Sequence, residues 1–270
     1  MASPRVLLLG GHGKVSLLMT PLFLSRSWNV TSVVRNADHR AEIEATGTGH
    51  PGKVSVLVRS LDDVKSDSDA QSVLDEVKPD YVVWSAGAGG KGGAARTYAI
   101  DKDACIHFIR TSLATPSIKK FLLVSYLGSR RNRPGWWNDA GWASTQKTNR
   151  EILPHYYAAK LASDEVLTAL AHKRAEKGDK EFQSILLRPG ALSDEAPTGK
   201  VALGKTDARG SVSRGDVAAV AARLLERPDT RGWFDLLEGE EPVESAVERV
   251  VKEKVDCVEG EDLEKLYSVA

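Results

Sequence analysis

The stretch Arg5–Gly10 is a continuous apolar run closed by glycine, and it passes through Gly11-His12-Gly13 into an apolar helical stretch, Lys14–Ser25. A strand buried on both faces reads as such a run. A chain that opens strand, glycine turn, helix has few folds open to it, and the rest of the sequence repeats the alternation. Strands are expected at Asn29–Arg35, Lys53–Val58, Tyr81–Ser85, Ile118–Ser125, Phe182–Leu187 and Trp233–Leu237. Helices are expected between them at Asp38–Thr46, Asp67–Lys78, Ala95–Thr115, Leu153–Lys177 and Arg214–Glu226, with a last one at Val243–Lys254. Pro21 should kink the first helix or start a new turn. Asp38 is placed to cap the second, and Pro154 suits a first helical turn.

Strict alternation predicts a doubly wound, mostly parallel α/β sheet of the Rossmann kind, with helices on both faces. Residues 1–270 are expected to form one domain. Residues 128–142 and 190–270, the latter a small C-terminal extension, would supply its substrate side. Ligands of such sheets sit beyond the carboxyl ends of the strands. The chemistry is therefore expected near residues 10–16, 35, 60–61, 86–90, 125–142 and 188–194.

Composition narrows the function. The 37 Lys and Arg are balanced by 37 Asp and Glu, so neither nucleic acid nor an anionic membrane attracts the whole surface. Cys105 and Cys257 alone make no disulfide framework and point to a reducing compartment. The apolar run near the start is too short for a signal core, and no segment approaches about twenty apolar residues. A cytoplasmic protein without a membrane span is the expectation; a mitochondrial address stays open, although the arginine-rich start it needs is missing. The six histidines show no ligand-like spacing, so no metal is expected. No Gly-x-Ser-x-Gly nucleophile elbow is present.

The residues at the strand ends carry the functional reading. Gly10, His12, Gly13, Lys14 and Val15 form a turn that follows a strand and opens a helix, with Ser16 where a third glycine often stands. Glycines let a pyrophosphate approach, and the helix N-terminus supplies free N–H groups. Arg35 ends the second strand, where an acidic residue would hold a ribose 2′-hydroxyl; an arginine pairs instead with a 2′-phosphate. NADPH over NADH is the resulting expectation. Ser60 and Leu61 follow the third strand, where an adenine lies, or they belong to a capping turn with Asp62 or Asp63. Ala86, Gly87 and Ala88, within the run Ser85–Gly90, are small enough to admit ribose and pyrophosphate. Ser125 ends the fifth strand, and Tyr156 and Lys160 share one face of the next helix. A lysine beside a phenol lowers its pKa, the phenol can then exchange a proton with a carbonyl, and Ser125 can bond the same oxygen. Tyr157 competes with Tyr156 for that role.

Through Gly10–Ser16, Val33-Val34-Arg35, Ser85–Gly90, Phe121–Ser125, Tyr156–Lys160, Leu187–Leu192 and Ser213–Ala218 the chain resembles the atypical, NmrA-like short-chain dehydrogenases/reductases and the related epimerase/dehydratase-like proteins. The resemblance covers almost the whole length. It implies NADP(H) binding at the positions just named, a turn at Pro189 to Leu192 that covers the nicotinamide, and a ribose contact from Lys160. It implies an NADP(H)-dependent oxidoreductase with Ser125, Tyr156 and Lys160 as catalytic residues. It leaves two alternatives: a dinucleotide-binding regulator without turnover, and an epimerase or dehydratase. A monomer or a homodimer through the helices near 95–115 and 155–175 is a family expectation.

One loop stands apart. Arg130, Arg131 and Arg133 lie beside Trp136, Trp137 and Trp142, on the ligand side of the sheet. They are expected either to clamp an anionic or aromatic small-molecule substrate or to form a lid that buries the indoles with the arginines in water. A partner interface is a further reading of exposed tryptophans.

Overall fold

Val6 and Leu8 enter one hydrophobic cluster, and Leu7 and Leu9 enter another, so the first strand feeds cores on both sides of the sheet. That is the period-2 geometry of a strand with no wet face. The computed structural model describes residues 3–89 and 92–269; Gly90 of the Ser85–Gly90 run lies outside the described residues, as do Met1, Ala2, Lys91 and Ala270.

The first half runs β1 (Arg5–Leu9), α1 (Lys14–Ser25), β2 (Asn29–Val34), α2 (Arg40–Ala45), β3 (Val54–Val58), α3 (Asp67–Val77) and β4 (Tyr81–Trp84). It continues with α4 (Gly93–Thr97), a π-helical segment Tyr98–Ala104, α5 (Cys105–Ala114) and β5 (Lys120–Val124). Then come α6 (Asp139–Lys147), a second π-helical segment Thr148–Ile152, α7 (Pro154–Glu176), β6 (Gln183–Pro189), β7 (Ala191–Ser193), β8 (Lys200–Leu203) and β9 (Ser211–Ser213). The chain ends with α8 (Arg214–Glu226), β10 (Gly232–Glu238), β11 (Glu241–Pro242), α9 (Val243–Lys252) and α10 (Leu263–Tyr267).

Nine strands form one sheet in the order β3-β2-β1-β4-β5-β6-β10-β8-β11, while β7 and β9 pair separately. The strands from β3 to β10 are parallel, and β8 and β11 join by antiparallel pairing. The fold class read from the sequence is the one found. One face carries α1, α8 and α9; the other carries α3, α5, α7 and α10. The chain reverses direction across the sheet between β1 and β4, which opens a crevice at their carboxyl ends.

Several local expectations are corrected. Helix α1 continues across Pro21 as one element, so no new helix starts there. The second helix starts as a 3₁₀ turn capped by Asn36, whose Oδ1 accepts from the Asp38 N–H at 3.0 Å, so Asp38 is not the cap. The fourth helical stretch, expected at Ala95–Thr115, is a composite with the π-helical segment Tyr98–Ala104 inside it. The loop after β5 ends earlier than expected, because Asn138 caps α6 by accepting from the Gly141 N–H at 2.7 Å. Strands β7, β8, β9 and β11 are short, and their mixed sequences carry no clear period.

Candidate active site

The glycine turn shapes the crevice. Gly10 has φ +85°, and a Cβ placed there would stand 2.6 Å from Ala86 Cα. A side chain is thus excluded both by conformation and by the approach of the β4 loop. The Gly11 N–H donates to Val33 O at 3.0 Å and the Gly13 N–H to Gly10 O at 2.9 Å, which fix the turn. Gly13 is the N-cap of α1 and offers no side chain to its first N–H groups. Those groups remain available to an anion. Beneath them the Ser16 hydroxyl is fully buried and has no hydrogen-bond partner.

Three cavities follow the carboxyl ends of the strands. The first, about 280 Å³, is lined by Gly10, His12, Gly13, Arg35, Leu61 and Ala86 to Ala88, among others. The second, about 730 Å³, shares Gly13 and Ser85 to Ala88 with it and reaches Lys14, Val15, Ser125, Tyr156, Lys160 and Leu192. The third, about 540 Å³, shares Ser125, Leu153, Tyr156 and Leu192 with the second and includes Pro189. The three therefore form a continuous groove, and it gathers every expected site residue except Ser60.

Ser60 is a correction. Its hydroxyl accepts from the Asp62 N–H at 3.2 Å and so caps the turn after β3. Asp62 faces the cavity and is clasped by Arg96, at 3.0 Å from Nε and 3.2 Å from Nη2. The Arg96 hydrogen bonds hold the Asp62 carboxyl below its ordinary range. At the same end the His12 ring stacks on His39, with centroids 3.6 Å apart, and its Nε2 lies 2.6 Å from Glu42 Oε2. Arg35 is exposed at this mouth, beside Arg59.

The middle of the groove holds the titratable groups. Tyr156 and Lys160 lie one turn apart on α7; Tyr156 lines both the second and third cavities, and Lys160 the second. The Lys160 ammonium donates to Val124 O at 2.8 Å. Burial opposes its charge, but Tyr156, Asp101 and Asp164 outweigh that and leave its pKa above the usual value. Burial also raises the Tyr156 phenol, and Lys160 offsets this only in part. The expectation of a phenol with lowered pKa is thus corrected: desolvation exceeds the lysine's pull. Tyr157 faces away, donates to Arg130 O at 3.2 Å and lines none of these three cavities.

Sequence reasoning missed two carboxylates here. Asp101, in the first π segment, accepts from the Ala88 N–H at 2.9 Å, and Gly87 leaves the room it needs. Asp164, one turn beyond Lys160, accepts from the Ser125 hydroxyl at 2.6 Å. Burial raises the pKa of both. A helical i, i+4, i+8 spacing of Tyr156, Lys160 and Asp164 was the available signal.

The arginine and tryptophan loop does not face the groove. Arg130 is fully buried and donates to the carbonyls of Cys257 at 3.0 Å and Glu259 at 3.1 Å. Trp137 is buried and donates to Thr206 O at 2.9 Å. Arg131 pairs with Glu165, and Arg133 with Asp139. The substrate clamp is corrected to a structural strap: each of these cations has a protein partner, and those of Arg130 and Arg131 lie far along the chain. The lid alternative holds for Trp137, while Arg130 is buried with it rather than left in water.

A family model for NAD(P)H-binding proteins matches residues 10–228. The chain belongs to the NAD(P)H-binding family. A UPF0659 protein of Schizosaccharomyces pombe is 30% identical over 88% of this chain and 91% of its own. The Bacillus subtilis protein named "Uncharacterized sugar epimerase YhfK" is 27% identical over 91% of this chain and 100% of its own. A solved Bacillus halodurans protein, named provisionally an NAD-dependent epimerase/dehydratase, superposes with a TM-score of 0.70 at 26% identity, covering 92% of this chain and 100% of that one. The glycine turn, the uncapped start of α1 and the unpartnered Ser16 hydroxyl fit the pyrophosphate of such a dinucleotide. Among the described residues, no helix is long and apolar enough to cross a membrane.

Proposed function

We propose that this NAD(P)H-binding protein is an NADP(H)-dependent oxidoreductase that reduces a carbonyl on a small molecule. The observation that carries the reading is Tyr156, a phenol whose proton burial retains, at the junction of the dinucleotide-sized groove and the third cavity. Bound NADPH supplies hydride. The chain's part is to bind, orient and deliver a proton. Gly10, His12, Gly13, Lys14 and Val15 hold the pyrophosphate, Leu61 packs on the adenine, and Ala86 to Ala88 admit the ribose. Arg35 takes the 2′-phosphate, and Pro189 and Leu192 cover the nicotinamide. Tyr156 gives its proton to the carbonyl oxygen, and Lys160 stabilises the phenolate left behind. Ser125 directs its own proton to Asp164, so it offers the substrate a lone pair that accepts from the hydroxyl formed.

The third cavity bears on the substrate. Arg209 is the one charged side chain lining it among the described residues. Tyr126 donates to Asn149 Oδ1 at 2.8 Å, and Asn149 Nδ2 to Gly128 O at 2.8 Å, so these polar groups satisfy one another. An uncharged or singly anionic carbonyl compound suits this lining. The names of the relatives support a second reading, an epimerase or dehydratase with the same residues.

Titration with NADPH and NADH, followed by tryptophan and NADPH fluorescence, tests the cofactor. Tighter NADPH binding supports Arg35 in its role; equal binding removes it. A carbonyl screen that follows NADPH absorbance separates the two activities. Net consumption supports reduction, and product formed at constant absorbance supports the epimerase reading.

A further inference from the structure

Asp194, just past β7, joins distant parts of the chain. Its carboxylate receives Lys14 Nζ at 2.6 Å and Arg214 Nη1 at 2.7 Å. Lys14 is the first residue of α1 and Arg214 the first of α8. Both cations line the second cavity of the groove. Those two bonds are the only side-chain bonds Asp194 makes among the described residues. Residues 194–197 around it are exposed, and they lie between β7, which pairs with β9, and Thr198 and Gly199, whose N–H groups donate to Asp216 at 3.0 and 2.8 Å. An exposed carboxylate with two cations is held weakly, because each solvated ion pair contributes little.

The same two cations face a groove that belongs to a dinucleotide. Lys14 follows the glycine turn, above the free N–H groups of α1 and the unpartnered Ser16 hydroxyl. A pyrophosphate brings two negative charges and can use those N–H groups as well as the cations, so it outcompetes a single exposed carboxylate. We propose that Asp194 is a displaceable internal counter-anion for Lys14 and Arg214, that both cations bind the cofactor's pyrophosphate, and that the short 194–197 strap is released when the dinucleotide binds, while β7 and Leu192 stay in place. The proposal rests on the dinucleotide reading above and adds Arg214 to the residues that hold it.

Calorimetric titration of the full-length protein with NADPH tests this, together with amide hydrogen exchange of residues 194–196 in the strap. Asp194→Asn, and Asp194→Ser as a second variant, should bind NADPH about three- to tenfold more tightly, the scale of losing two weak competing ion pairs. That gain should shrink as salt is raised. Arg214→Met, checked for an unchanged melting temperature, should bind several-fold more weakly. Exchange in the strap should rise when NADPH is added to the unaltered protein. If NADPH does not bind that protein, the dinucleotide reading itself falls. If it binds, but the Asp194 variants bind no more tightly and strap exchange does not rise, this proposal alone is overturned.

Discussion

Tyr156 and Tyr157 are neighbours in the chain, yet one faces the groove and the other holds Arg130 O. Tyr156→Phe should lower carbonyl reduction by about 10²- to 10⁴-fold, the usual worth of a positioned proton donor, with NADPH affinity within twofold. Tyr157→Phe should leave kinetics unchanged and lower stability by about 1 kcal/mol through one lost hydrogen bond; steady-state rates and urea denaturation check both. The raised Tyr156 pKa sets a sign for pH. Below it the phenol is protonated, so reduction should stay level across neutral pH. Alcohol oxidation needs the phenolate and should climb as pH rises toward 10 and beyond. A reductive rate that falls away near neutrality would show that Lys160 outweighs burial. Gly10→Ala meets a positive φ and the Ala86 backbone together, and should cost more than about 2 kcal/mol in urea denaturation. At this scale the sequence was legible wherever placement is local: the glycines, Arg35 and the Tyr156–Lys160 pair, picked out by spacing, all line the groove. Ser60 was ambiguous because a hydroxyl two residues before Asp62 serves a turn as readily as a ligand.

Between elements, burial of charge decides what a residue does. Arg188 on β6 lies beside Asp235 on β10, with Nε 2.8 Å from Oδ1, both fully buried. Arg188 also donates to Ser129 O at 2.7 Å and Leu127 O at 3.0 Å, which holds the loop after β5. Asp235→Ala leaves that guanidinium in the core without its hydrogen-bonded carboxylate, with only Asp164 nearby at 3.8 Å, and should destabilise by about 3 kcal/mol, read as a shift in the denaturation midpoint at constant slope. The partners of Arg130 lie 127 and 129 residues away, so composition around Arg130 could suggest only a solvent-facing or ligand-facing cation. Helix and strand existence was legible for the long periodic segments. The two π-helical segments were not, because they follow the helical pattern and differ only in backbone bonding.

At the scale of the molecule, one nine-stranded sheet runs from β3 to β11, with a hydrophobic cluster on each face. Residues from both halves of the chain enter both clusters: Val6 packs in the cluster of Val247, and Leu7 in that of Leu266. We expect residues 1–270 to unfold as one cooperative unit, with far- and near-ultraviolet dichroism giving coincident transitions on heating; two separated transitions would divide the chain. The parallel order was legible because alternation and right-handed crossovers leave few topologies. The antiparallel additions β8 and β11 were not, since nothing short and irregular announces which edge it joins.

The Arg188–Asp235 pair also bears on how the protein is made. A ribosome releases β5, α7 and β6 well before it releases β10, so for a time the sheet has Arg188 with only the more distant Asp164 beside it, at 3.8 Å, and without its hydrogen-bonded carboxylate. Arg130 waits longer still, for the carbonyls of Cys257 and Glu259. A guanidinium short of its hydrogen-bonded partners resists leaving water. The emerging chain should therefore keep the loop after β5, and with it the pocket around Ser125, open to proteases until its last few dozen residues arrive.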